Sequence, residues 1–281
     1  MSIPHNTVRL FGKALLLWVL GFTVSAWVGL DGINTMLGSP AFLPRGPFTL
    51  VTHTLLHLPA AWVGICAPIV ALVLVLLCVH DLLRGSRWWS ALLIWLLYIN
   101  LTHVAWLAGS GGQQLISNLL FWNILLSVKA TSIAGWAVPM AFWTIRLQLL
   151  LAYLATGLHK LLGTHWPDGT AMGIVATDHA FGPLWLADFP FLATVITWAV
   201  LIFQFTFPIA VWWSRTRWPW MLFGVLFHLG TALWMDIPEM AFAFLVAYTI
   251  WLHPNDVERL RAWLPFRRSR NTASGPSAAV G

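Results

Sequence analysis

Residues 138–160 read Val-Pro-Met-Ala-Phe-Trp-Thr-Ile-Arg-Leu-Gln-Leu-Leu-Leu-Ala-Tyr-Leu-Ala-Thr-Gly-Leu-His-Lys, and only Arg146 and Lys160 among them are formally charged. A bilayer crossing takes about 20 mostly apolar residues, so this stretch predicts a membrane-spanning helix over about residues 138–158, with Lys160 at its external end. Arg146, Tyr153 and Lys160 recur every seven residues, a spacing that drifts only about 20° per step around a helix. They form one polar stripe, with Gln148 on another face. Lys160 stands about 21 Å along the axis from Arg146. A charge at the membrane centre costs about 2.5–3.5 kcal/mol on insertion scales, which makes such residues functional candidates. The structural alternative is that Lys160 snorkels to headgroups while Arg146 anchors the inner leaflet. Gly157 and Thr156 beside Lys160 suit close helix packing, which would turn the stripe inward.

The surrounding composition points the same way. Of 281 residues, 59% are hydrophobic and 9% charged, and the mean hydropathy is +0.78. Soluble domains carry about 25% charged residues, so this chain cannot cover a water-facing surface. The net charge of +6 therefore does not indicate a nucleic-acid partner, and the expected partner is the lipid bilayer. Further apolar runs at 12–30, 60–80, 88–108, 115–128, 191–213, 219–235 and 240–252 bring the expected count to about eight transmembrane helices. The fold class is all-α, a polytopic helical bundle, with the runs at 115–128 and 240–252 short enough for tilted or partial crossings.

An even count places both termini on one side, and charge selects the side. Arg9, Lys13, Arg84, Arg87, Lys129, Arg215, Arg217, Arg259, Arg261, Arg267, Arg268 and Arg270 share it with the termini. The opposite side holds Arg45 and Lys160 with Asp31, Asp168, Asp178, Asp188, Asp236 and Glu239. By the positive-inside rule both termini are cytoplasmic, in the inner (plasma) membrane. Val24-Ser25-Ala26 has the pattern of a signal-peptide cleavage site after a basic start, but the charge balance holds only if this first span is retained. Residues 1–263 form the expected transmembrane domain, and 264–281 a disordered basic tail near anionic lipid.

The long connections, roughly 31–59 and 159–190, are expected on the extracytoplasmic side, and long loops often carry function. Residues 48–58 suit a helix lying in the interface. His228 is a second intramembrane candidate, with Thr231 and Met235 on its face; it reads as either a hydrogen-bonded packing residue or a ligand. His103 with Asn100 has the same ambiguity. His53 and His57 have the spacing that aligns two imidazoles on one helix face, but no third ligand for zinc follows. His159, His165, His179, Asp168 and Asp178 share the second long loop without a recognisable metal pattern, so no metal site is assigned. Cys66 and Cys78 lie about 18 Å apart on a helix, beyond the roughly 7 Å a disulfide allows. No P-loop, dinucleotide fingerprint or Gly-x-Ser-x-Gly elbow is present.

The stretch Ile145-Arg146-Leu147-Gln148, Tyr153-Leu154-Ala155-Thr156-Gly157-Leu158-His159-Lys160-Leu161 and Trp166-Pro167-Asp168-Gly169 resembles the transmembrane core of vitamin K-dependent gamma-carboxylases. That core is shared with bacterial horizontally transferred transmembrane domain (HTTM) proteins. Phe227-His228, Ile237 and the apolar run through Ala247 resemble that family's later histidine span, and the similarity covers about residues 10–252. In the carboxylases the lysine matching Lys160 is the base that deprotonates vitamin K hydroquinone on the lumenal side. Reaction with oxygen then yields a stronger base for glutamate carboxylation. Desolvation at an apolar helix end favours the neutral amine this requires.

The resemblance has gaps. Thr156 stands where the carboxylases have alanine, and Trp166 lies one residue farther from Lys160. Their upstream catalytic histidine has no match near Gln113 to Asn118, and their large soluble C-terminal region is missing. Some bacterial members of similar size act with partner proteins in maturing secreted peptide toxins.

The resemblance therefore implies quinol-linked modification or maturation of an extracytoplasmic peptide rather than peptide carboxylation as such, with a separate soluble subunit as partner. Lys160 and His228 are the expected catalytic residues. Arg146, Tyr153, Trp166 and Thr231 would hold a reduced, vitamin K hydroquinone-like quinone. The alternative is a non-enzymatic membrane scaffold, immunity protein or partner subunit. A carrier for a lipophilic molecule ranks last, because matching halves with Gly/Pro-broken helices are not seen.

Overall fold

Each apolar run folds as a helix, and the tertiary contacts decide which of its faces leaves the lipid. The computed structural model describes residues 3–28, 47–104, 110–129 and 131–263. In chain order the helices are α1 (His5–Val28), α2 (Pro47–Thr52), α3 (Ala60–Arg84), α4 (Trp88–Val104), α5 (Gly111–Leu126) and α6 (Thr131–Leu162). They continue with α7 (Ala171–Val175), α8 (Pro190–Ala210), α9 (Ser214–Trp234), α10 (Pro238–Tyr248) and α11 (Pro254–Trp263). No strand occurs among the described residues. The tail expected at 264–281 lies outside them.

Helix length and composition refine the expected count of about eight crossings. Among the described residues four helices are long and apolar enough to cross: His5–Ala26, Ala61–Arg84, Ile133–Leu162 and Pro190–Ala210. Trp88–Val104 and Pro238–Trp251 are apolar but shorter. Helix α5 carries Gln113, Gln114, Asn118 and Asn123, and α9 begins with Arg215 and Arg217; neither falls in these two groups. A run of apolar letters is thus a weaker criterion than a helix about 30 Å long.

The helices pack in a chain of neighbours: α1 on α3, α3 on α4, α4 on α5, α5 on α6 and α6 on α8. Short α10 packs against α9, α5 and α1. Its Ala241, Ala243 and Ala247 are fully buried, and such small side chains let backbones approach where no hydrophobic effect drives helix association in lipid. Helix α3 instead leaves Ile65, Ile69, Leu72 and Leu76 exposed, a face suited to acyl chains. Helix α5 starts at a capping box in which Ser110 and Gln113 bond each other's backbone N–H groups. The Gln113 carbonyl also accepts from Tyr98 Oη at 3.2 Å.

Polar side chains join elements distant in sequence. Thr7 Oγ1 donates to the Leu252 carbonyl at 3.0 Å, which seats the start of α1 on the α10–α11 connection. Arg217 and Asp256 pair at 3.5 Å, both largely buried, and tie α9 to α11.

The 48–58 segment is not one helix. Helix α2 ends at Thr52, the chain bends at His53, and a 3-10 turn spans Thr54–His57. Asn100 Nδ2 donates to the Val51 carbonyl at 2.8 Å and to Leu96 O at 2.9 Å, and its Oδ1 accepts from the Leu55 N–H at 3.4 Å. Local imidazole spacing could not foresee this tertiary hold. The 163–189 connection packs on α8 through Ala176, Leu186 and Ala193, with the Met172 N–H donating to Thr197 Oγ1 at 3.0 Å. Cys66 and Cys78 are both free.

Candidate functional site

Helix α6 carries three of the expected residues, and the fold assigns each a different environment. Nearest the α10–α11 connection, Arg146 donates from Nε (3.2 Å) and Nη2 (3.1 Å) to the Ile250 carbonyl. Its guanidinium lies over Phe142 (4.3 Å), Trp143 (5.2 Å) and Trp251 (4.7 Å). The carbonyl it caps belongs to a 3-10 turn after α10, Thr249–Trp251, where helix ends leave acceptors unsatisfied. All of these contacts are internal, so Arg146 joins α6 to the end of α10.

Two turns further on, Tyr153 is 1% exposed. Its Oη meets His228 Nε2 at 2.6 Å and also hydrogen-bonds Tyr248 Oη. Helices α6, α9 and α10 thus meet in one buried polar chain. Aromatic rings enclose it: Phe203 and Phe207 pack on Tyr153 at 5.3 and 4.7 Å. Phe244 stacks on the His228 ring at 4.5 Å and 14°. Thr231 Oγ1 donates to the His228 carbonyl at 2.8 Å, so its hydroxyl serves the backbone of α9.

The chain is unfinished at its histidine. His228 is 2% exposed, and its Nδ1 has no hydrogen-bond partner among the described residues. If Tyr153 donates to Nε2, Nδ1 carries an unpaired N–H; if Nε2 donates, Nδ1 is a bare acceptor. Either state leaves a buried polar atom unmatched, at about 1–3 kcal/mol. A ligand hydroxyl or carbonyl would satisfy it.

Lys160 lies in the last turn of α6, so this helix outlasts the expected boundary at 158. The side chain is half-buried, with Nζ 4.3 Å from the Trp166 ring centroid. It forms no ion pair among the described residues. Trp166 is held by a tight turn. Gly169 has φ +84°, and a Cβ there would come within 2.8 Å of Thr194 and 3.1 Å of Trp198. The Trp198 indole donates to the Pro167 carbonyl at 3.3 Å. Asp168 accepts from Thr170 Oγ1 at 2.6 Å and Thr170 N at 2.9 Å, bonds that hold its carboxyl below the usual carboxylate range. The Trp-x-x-Gly pattern therefore builds the platform beneath the lysine. Gly157 is buried on the α6–α8 contact, where a Cβ would approach Phe205 to 3.1 Å. Exposed Thr156 bonds its own helix at Ala152 O, 2.8 Å away.

The remaining candidates do not join this site. His103 accepts no ligand role: its Nδ1 bonds the Thr52 carbonyl at 3.0 Å, and its ring stacks on His53 at 3.9 Å. Asp178 Oδ1 accepts the Ala180 N–H at 2.7 Å and so closes a turn. No group of three His, Cys, Asp or Glu suited to a metal occurs among the described residues.

Sequence reasoning missed Tyr248 and Gly224. A Cβ on Gly224 would overlap Tyr248 Oη and stand 2.7 Å from its Cζ, so only glycine admits that hydroxyl to the chain. One signal was available: Tyr248 is one of three tyrosines in the sequence, placed at the end of an apolar run.

The whole constellation, from Arg146 to Tyr248, falls inside the match to the HTTM domain model, which covers residues 123–255. The match overlaps the C-terminal part of the 10–252 stretch on which the resemblance was drawn. The chain is also similar to the sporulation-delaying protein SdpB of Bacillus subtilis (strain 168), with 25% identity over 169 residues. That alignment covers 51% of each chain, so the chain spans about half the length of this curated relative. No solved structure matches the chain.

Proposed function

We propose that this chain is a membrane protein of the HTTM family that modifies or matures a secreted peptide at the extracytoplasmic end of a plasma-membrane bundle. Lys160 is the base, a reduced quinone the cofactor, and a separate soluble subunit the source of peptide binding. The observation that carries the reading is the open Nδ1 of buried His228, on the same helix bundle as an unpaired lysine at the end of α6. These residues fit a quinol. Trp166 offers an aromatic face, Lys160 an amine, and His228 an unmatched polar atom in an apolar, aromatic surround.

A bound quinol would supply an acidic hydroxyl and two reducing electrons. Lys160 holds and releases its proton at Nζ, oriented by the Trp166 ring. Tyr153 Oη, between His228 Nε2 and Tyr248 Oη, can donate to one neighbour while accepting from the other, so a proton can shift along the chain without water. Packing by Phe203, Phe207 and Phe244 excludes solvent from it. Arg146, midway along α6, ties that helix to the end of α10.

The second reading, a non-enzymatic scaffold, immunity protein or partner subunit, is favoured by Arg146, whose polar contacts are all structural. Purification of the full chain in mild detergent, followed by solvent extraction and mass analysis for quinone, separates the two. Co-purified quinone that falls in Lys160→Ala and His228→Leu, at unchanged membrane level, supports the enzymatic reading. Quinone-free wild-type preparations, or variants that lose protein abundance instead, overturn it.

A further inference from the structure

The ends of α1, α3 and α5 that lie away from Lys160 enclose a second polar feature, unrelated to the proposed chemistry. A cavity of about 450 Å³ is lined by Arg9 and Lys13 from α1, Arg84 from the end of α3, and Lys129 just beyond α5. Arg9 and Lys13 are four residues apart, so they project from one face of α1. Asp81 is the single carboxylate in the lining, and both its oxygens are engaged. Oδ1 meets His80 Nδ1 at 3.0 Å, and Oδ2 accepts from Ser90 Oγ at 2.7 Å. None of the four cations forms an ion pair among the described residues.

Asn123 also lines the cavity. It is 4% exposed, and its Nδ2 has no hydrogen-bond partner among the described residues. An amide that could donate two hydrogen bonds is thus buried and idle beside four positive charges. Like charges converging from three helices repel unless an anion lies between them, and a multiply oxygenated anion meets both needs. A phosphate ester offers charge for the cations and an acceptor for the amide. The position is suited to it as well: α1 and α3 are two of the four candidate spans, and the cavity sits where they end, at headgroup depth.

We propose that this cavity binds a phosphate-bearing anion, either the headgroup of an anionic phospholipid or a free phosphate compound. The test uses the full chain in nanodiscs of phosphatidylcholine with and without phosphatidylglycerol. Retained lipid is counted by native mass spectrometry after transfer to neutral detergent, and thermal shift with inorganic phosphate is measured in parallel. The variants are Lys13→Gln with Lys129→Gln, and independently Arg9→Gln with Arg84→Gln, both on exposed side chains. Arg215→Gln with Arg259→Gln removes the same charge elsewhere.

Each basic residue near an anionic leaflet is worth about a fivefold change in affinity. Either cavity pair should therefore lower retention about twenty- to thirtyfold, while the control pair keeps it. Selective retention of phosphatidylglycerol supports the headgroup source. A thermal shift with phosphate, lost in the cavity variants and without lipid retention, supports the free anion. Binding of neither probe, or an equal loss in the control pair, overturns the proposal.

Discussion

Gly224→Ala should damage the protein through one atom. The added Cβ would overlap Tyr248 Oη and approach Tyr248 Cζ to 2.7 Å and Phe203 Cζ to 2.9 Å. In an unobstructed helix the same change would gain about 0.5–1 kcal/mol. Overpacking a close-set core costs about 1–3 kcal/mol. Displacing Tyr248 from Tyr153 forfeits about 1 kcal/mol more in hydrogen bonding. The net loss is about 2 kcal/mol, or about 4–8 °C in Tm. Thermal unfolding of the detergent-purified chain measures it. Tyr248→Phe removes the overlapping hydroxyl, so the double variant should recover part of the loss, with a coupling of about 1 kcal/mol. A Gly224→Ala protein as stable as the wild type, or a Tyr248→Phe change that adds to its effect without rescue, would refute the reasoning.

Two further outcomes are expected. Arg146→Lys should cost about 2 kcal/mol, because an ammonium cannot reproduce the double bond to the Ile250 carbonyl or the stacking on three rings; thermal melts should show it no better than Arg146→Gln. Burial, with His103 and His57 nearby, holds His53 below its ordinary range, so its contribution to stability is present above pH 6.5 and is lost as pH falls through the lowered value. Hydrogen exchange in residues 47–57 should therefore rise on acidification, and His53→Phe should flatten that pH dependence.

The candidate site was partly legible because hydropathy and helical period are local properties. The seven-residue recurrence of Arg146, Tyr153 and Lys160 placed them on one face, and α6 does turn Tyr153 to the core. His228 stood out by the cost of an imidazole in an apolar run. What these residues touch was not legible. Arg146 bonds a backbone carbonyl 104 positions away, and no side-chain code marks a carbonyl left open by a 3-10 turn. His53 and His57 shared a spacing, yet the chain bends at His53 and a 3-10 turn follows, so no single helix carries both.

The sequence alone determined that this chain is all-α and lipid-embedded, and that its few charged residues, Arg146 apart, lie at the ends of its apolar runs or between them. That follows from composition, since burying charge in hydrocarbon is prohibitive wherever the residue falls in the fold. The tertiary structure decided that Tyr153, His228 and Tyr248 form one chain with an open nitrogen, and that four cations share one cavity. The first depends on how α6, α9 and α10 rotate against one another, the second on how α1, α3 and α5 meet. That rotation is set by side-chain volume at the contacts, such as the missing Cβ of Gly224 and the alanines of α10, and volume has no periodic signature along the chain.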